Sequence, residues 1–137
     1  MNPVPLFLII VSLPLLLGGC GEKEAVDHKL IEERDGIAYF LDSDTPYTGK
    51  TISLYKNGKL SRERKYKKGK AHGLWVYWHN NGQKKSEGNY KNGKLDGLVS
   101  EWFENGQQRL HQTYKDDKPV FRKRWNRKGE LEYKDKE

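Results

Sequence analysis

The feature that leaves this chain the fewest possible folds is a period. Sliding the sequence by 24 residues lays Gly49, Gly73 and Gly97 on one another, then Gly58, Gly82 and Gly106, then Tyr66, Tyr90 and Tyr114. The unit is spelled most fully from Gly73 to Asp96, GLWVYWHNNGQKKSEGNYKNGKLD, and residues 49–72, 73–96 and 97–120 are three versions of it. Asn57-Gly58, Asn81-Gly82 and Asn105-Gly106 recur at one place in the unit. Asn-Gly supplies the positive φ that both central residues of a two-residue type I′ turn need, so each unit is expected to be a β-hairpin. A second turn falls at Lys68-Gly69, Asn92-Gly93 or Asp116-Asp117, and the half-period is then one strand plus one turn. A helical solenoid would need an apolar spacing of about 3.6 residues, which the unit lacks. The expected fold class is all-β, a single-layer twisted antiparallel β-meander of tandem ~24-residue β-hairpin repeats, with about eight strands.

The array needs ends. Residues 35–48 read as a degenerate capping unit: Ile37–Leu41 is a short apolar strand, Asp42-Ser43-Asp44 breaks it, and Pro46 stands where a central strand could not use it. Residues 121–137 read as a shortened C-terminal unit in which Trp125 replaces the earlier Trp and Gly129 closes the turn one residue early. Its closing charges discourage edge-to-edge pairing. Strand alternation puts Ile52, Leu54, Leu74, Val76, Trp78, Leu98 and Trp102 on one side, with Tyr66, Tyr90 and Tyr114 as further core candidates. The opposite side is expected to carry Tyr55, Trp75, Tyr77 and Phe103 beside Glu63, Lys65, Lys85, Glu87, Arg109 and Lys115. Apolar residues on both faces mean either a curled sheet or a functional aromatic patch.

The first 20 residues are of another kind. They hold no charge, 13 of the 20 are hydrophobic, and the apolar run Leu6–Leu17 is broken by Pro14 and ends in Leu17-Gly18-Gly19-Cys20. Such a run is too short to span a hydrocarbon core of about 30 Å. It resembles a bacterial lipoprotein signal, residues 1–19, with Cys20 the lipidated residue that carries acyl chains such as palmitate. The departure is an n-region without Lys or Arg. Cys20 is the only cysteine, so no internal disulfide staples the domain. Residues 21–34, a largely polar stretch, read as a tether, and the expected location is the cell envelope, outside the cytoplasm and membrane-anchored.

All 26 basic and 19 acidic residues follow position 20, which gives the exported part a net charge of +7. Nucleic acid is the usual partner of a basic chain rich in aromatics. Export removes it, and the anionic surfaces left are phospholipid, envelope glycan and acidic protein. Lysines that merely keep a thin sheet soluble are the competing account. Nothing in the chain gathers chemistry. His28, His72, His79 and His111 share no repeat position, and His79 stands where other units have Tyr55 and Phe103. Glu63, Glu87 and Glu101 recur structurally, and no phosphate cradle, zinc helix or nucleophile elbow occurs. The expectation is a protein that is not an enzyme, with no cofactor and no metal.

The spelling G-x-W-x-x-W-x-x-N-G-Q-x-x-x-E-x-x-Y-K-x-G-K-x-D-G from Gly73 to Gly97 resembles the MORN-repeat variant of YwqK-like bacterial antitoxins, and Pro46-Tyr47-Thr48-Gly49 resembles the lead-in to such arrays. The resemblance covers residues 35–137 and departs at Asp117, where the other units have Gly69 and Gly93. It implies an immunity-like protein that binds another protein, a toxin, and blocks it without chemistry. Trp75, Tyr77, Phe103 and Tyr55 are the candidate partner-binding residues, since interface hot spots favour large aromatics. The alternative sets Lys67, Lys68, Lys70, Lys84, Lys85, Lys91 and Lys94 against anionic envelope lipid or glycan.

Overall fold

The computed structural model describes residues 24–135; the leader and Cys20 lie outside the described residues. The strands are β1 (Val26–Asp27), β2 (Ile31–Arg34), β3 (Ile37–Phe40), β4 (Gly49–Leu54), β5 (Leu60–Lys67), β6 (Lys70–Ala71), β7 (Gly73–Trp78), β8 (Lys84–Lys91), β9 (Lys94–Trp102), β10 (Gln108–Lys115), β11 (Lys118–Trp125) and β12 (Leu131–Lys134). A single 3-10 turn, His28–Leu30, joins β1 to β2. From β4 to β12 the chain is an antiparallel meander within a ten-stranded sheet, each strand paired with the next, β6 being a short extra rung on β5.

Two features at the N-terminal end depart from a plain single layer. β1 adds to the β4 edge in parallel, pairing Val26 with Thr51 and Asp27 with Ile52. β2 and β3 form a separate hairpin. Ile31 and Ala38 of this hairpin bury themselves against Tyr47 and Tyr66, with Val26 and Trp75 packed alongside. The stretch read as a tether is therefore structured from Val26 onward. Ile31 is the reason: next to an aromatic row, an apolar side chain gains more from burial than a solvated tether gains from freedom.

The turns reverse the expected assignment. Gly58, Gly82 and Gly106 take φ of 80°, 92° and 83°, but the Asn before each does not have positive φ. Gly58 N–H donates to Tyr55 O (3.0 Å) and Tyr55 N–H to Lys59 O (2.8 Å), a type I turn closed by a left-handed Gly and a bulge. The type I′ turns are at the other end of the sheet, with both central φ positive at Lys68-Gly69 (49°, 74°), Asn92-Gly93 (51°, 85°) and Asp116-Asp117 (47°, 65°). Asn serves the first set through its side chain. Oδ1 of Asn57, Asn81 and Asn105 accepts from the backbone N–H two residues on, and Nδ2 donates to the carbonyl of Asn80, Glu104 or Arg127 in the next unit. These amides tie turn to turn along the array. Asp117, the departure from the repeat, is accommodated: its N–H donates to Leu95 O (2.9 Å) and its Oδ1 accepts from Leu95 N–H (2.7 Å).

The faces also differ from expectation. Gly49 pairs with Tyr66, Gly73 with Tyr90 and Gly97 with Tyr114, so odd residues of a first strand share a side with even residues of the second. The front face thus joins Thr51, Arg64, Tyr66, Trp75, Tyr77, Tyr90, Val99 and Tyr114. The back joins Ile52, Glu63, Leu74, Val76, Glu87 and Leu98, with Glu63 and Glu87 both opposite Val76. The tyrosines and Trp75, expected on opposite sides, are neighbours. Of the expected core, Val76 is buried at 5% exposure, but Leu54, Leu74 and Leu98 stand 49%, 36% and 38% exposed.

Candidate functional site

Front-face pairing builds a row of rings. Phe40 meets Tyr47 edge-on at 5.2 Å between centroids, Tyr47 meets Tyr66 at 6.0 Å, Tyr66 meets Trp75 at 5.4 Å and Trp75 meets Tyr90 at 4.5 Å. Trp75 is fixed further by its Nε1–H, which donates to Lys65 O at 2.8 Å. The Arg64 guanidinium lies 4.6 Å from the Trp75 ring centroid and 5.5 Å from that of Tyr77. Burial works against its charge, yet hydrogen bonds to Tyr66 and Tyr77 hold its pKa above the usual guanidinium value. Burial also pushes the Tyr66 and Tyr90 phenols up. His28 sits 3.4 Å from Arg64, and burial, then Arg64 and Arg62, lower its pKa.

The four candidate aromatic residues do not make one patch. Trp75 is itself a ring of the covered row, and Tyr77 lies beside it across Arg64. Tyr55 is at the Asn-Gly end, where its hydroxyl donates to Trp78 O at 2.6 Å, and His79 bonds Trp102 O at 2.9 Å from the equivalent place. Phe103, third in that series, has no polar atom and instead lies beneath Arg127 (5.4 Å) and Arg109 (6.0 Å). Among the described residues no ring contact joins Phe103 to Trp75 or Tyr77.

The lysines divide between the two ends of the sheet. Lys67 pairs directly across from Lys70 and Lys91 from Lys94, each flanking a type I′ turn, with Lys68 inside the first. Lys115 opposite Lys118 continues the series, and the sequence reading missed it as a site although it recurs at the same period. Two strands per unit set these pairs about 10 Å apart. Lys84 and Lys85 lie at the opposite end. Lys84 bonds Glu87 at 2.7 Å and stands 5.9 Å from the Trp102 ring. Lys115 reaches Asp96 at 2.8 Å, a hydrogen bond that lowers the carboxyl's pKa.

The histidines do not converge: beyond His28 and His79, His111 packs edge-on to Phe121 at 6.4 Å, and His72 lines a shallow cleft with Gly49 and Tyr66. Among the described residues no group of three His, Cys, Asp or Glu is placed to hold a metal, and no helix is long and apolar enough to cross a membrane.

The hairpin period, the turn-to-turn amides and the tyrosine row are the marks of one repeat type. The model of the MORN repeat variant family matches residues 47–68, 71–92 and 95–116. These three units are MORN repeats of the variant type. Matched starts are 24 residues apart (71 − 47 and 95 − 71), and each match ends at the first residue of a type I′ turn or one before its close. No curated protein and no solved structure matches the chain significantly. Both the β2–β3 hairpin and the strands β11 and β12 lie outside the matched units.

Proposed function

We propose that this protein is a non-enzymatic protein-binding module, held at a membrane of the cell envelope by acyl chains on Cys20, and that it acts as an immunity-like blocker of a partner protein such as a toxin. The observation that carries the binding part is the unequal cover of the front face. Ile31, Ala38, Tyr47 and Tyr66, the buried hydrophobic cluster on that face, all lie at its N-terminal end. Further along, Val99, Leu110 and Tyr114 stand half-buried on the same face, a surface a partner would complete. Capture of envelope proteins by the full-length chain in neutral detergent tests it. A discrete protein that survives a high-salt wash is the expected result; salt-labile lipid or glycan alone would sink the reading. Fractionation of Cys20→Ser tests the anchor, the variant being expected to leave the membrane fraction.

A second reading rests on the Lys67–Lys70, Lys91–Lys94 and Lys115–Lys118 pairs. Like charges directly opposite are destabilising, and their repetition along one end suits an anionic lipid or glycan surface. That reading predicts binding to anionic vesicles that falls steeply with salt and declines in Lys67→Ala and Lys91→Ala.

A further inference from the structure

The repeat explains most of the side chains that recur, and one cluster does not recur. Where Phe103 stands, earlier units have Tyr55 and His79; where Arg109 stands, they have Ser61 and Lys85; where Arg127 stands, they have Asn80 and Glu104. Together with Arg124 and Glu132 these residues line one open cleft of about 380 Å³ between the third unit and the last. Three guanidiniums face a single lining carboxylate. Arg124 is 3.4 Å from Glu132 and Arg109 3.5 Å from Glu101, with the arginine side chains 56% and 57% exposed. Exposed ion pairs of this length are weak and are readily exchanged for a better carboxylate. Arg127 has no acidic partner among the described residues, and its guanidinium lies 5.4 Å from the Phe103 ring centroid.

We propose that this cleft is a docking site for acidic side chains of a protein partner, an inference that rests on the protein-binding reading and names where and how it binds. A guanidinium over a ring and without an acidic partner keeps its N–H fork for a carboxylate, and a fork takes both carboxylate oxygens at once. Glu132 in the lining repels a compact dianion more than a single carboxylate, which favours Asp and Glu over phosphate. The cleft also lies at the Asn-Gly end of the sheet, away from the lysine pairs.

Calorimetric titration of the full-length chain in neutral detergent with an octaglutamate peptide tests this. Arg127→Ala and Arg127→Lys are each expected to weaken binding about tenfold or more, the loss that follows from removing a charge-assisted hydrogen bond. Lys67→Ala and Lys91→Ala are expected to leave it unchanged. The Arg127 carbonyl that accepts from Asn105 Nδ2 is kept in both arginine variants, so the turn is preserved. Equal weakening by the lysine variants, or none by Arg127→Ala, would overturn the site. Tighter binding of anionic phospholipid vesicles than of the peptide, lost in Arg127→Ala, would overturn the polypeptide assignment. If Arg127→Ala still captures the same envelope protein, the cleft is wrong and the binding reading stands; if the wild-type chain captures none, that reading falls by itself.

Discussion

The first MORN unit and the third share a backbone plan and differ in what lies over it. At the first, the β2–β3 hairpin closes on the sheet, Tyr66 is 5% exposed, and a row of rings runs from Phe40 to Tyr90. At the third, Tyr114 holds the place of Tyr66 and is only half-buried, and β11 and the turn after it bring Arg122, Arg124 and Arg127. The lesson is that a repeated hairpin supplies a hydrogen-bonded ladder at every unit, while a core needs a second layer. Here that layer comes from residues 26–40, which are not part of the repeat.

The strongest challenge to this contrast is to remove the same tyrosine at both ends. Tyr66→Ala is expected to cost about 3–5 kcal/mol, as for a large aromatic deleted from a core, and Tyr114→Ala less than half of that, read from urea unfolding of each variant. Equal losses would mean that the two ends are packed alike. Next come two equivalent glycines. A Cβ on Gly69 (φ 74°) would meet Ile37 Cγ2 and would stand 3.0 Å from Ala38 O, whereas on Gly93 (φ 85°) it meets only Lys70 Cβ at 3.9 Å. Gly69→Ala therefore carries both left-handed strain and a clash with the hairpin, about 2–5 kcal/mol, and Gly93→Ala strain alone, about 1–2 kcal/mol.

The turn amides should show no such contrast, because they recur in both regions. Asn57→Ala, Asn81→Ala and Asn105→Ala each lose an internal and an inter-unit hydrogen bond and are expected to cost about 1–2 kcal/mol alike. A graded series would show that the ladder, too, depends on the hairpin. The smallest effect is one of pH and belongs to the covered end alone. His28 has a folded pKa below its unfolded value of about 6.5, so the unfolded chain binds the proton first. Stability of the N-terminal cover is thus present above pH ~6.5 and declines as the pH falls below it through the folded pKa. Hydrogen exchange at Ile31 to Phe40 should speed up on acidification, and His28→Gln should remove most of that dependence.

Much of the fold was legible. The spacing of Gly49, Gly73 and Gly97 set the unit, and the recurring turn residues marked where its two strands begin and end. The candidate site was legible only in part. Lys67, Lys70, Lys91 and Lys94 sit as two facing pairs, but Trp75, Tyr77, Tyr55 and Phe103, alike in composition, have three separate roles. Arg127 and Arg124 drew no notice because their signal is a failure to repeat, visible only once β11 and β12 are seen beside Phe103.

What the sequence determined by itself was the period, the all-β class and the places where the chain turns, because glycine and the short polar residues act locally through φ and through their own side chains. It did not decide which side of the sheet each residue faces. That depends on how the two strands of a hairpin pair across the loop: the odd pairing sum puts Trp75 beside Tyr90 and sends Leu74 to the exposed back. Nor did it decide that residues 26–40 lie down on the first unit. A polar segment holding Ile31 and Ala38 is a tether or a cover according to whether an apolar row waits for it, and only the packed tertiary structure provides that row.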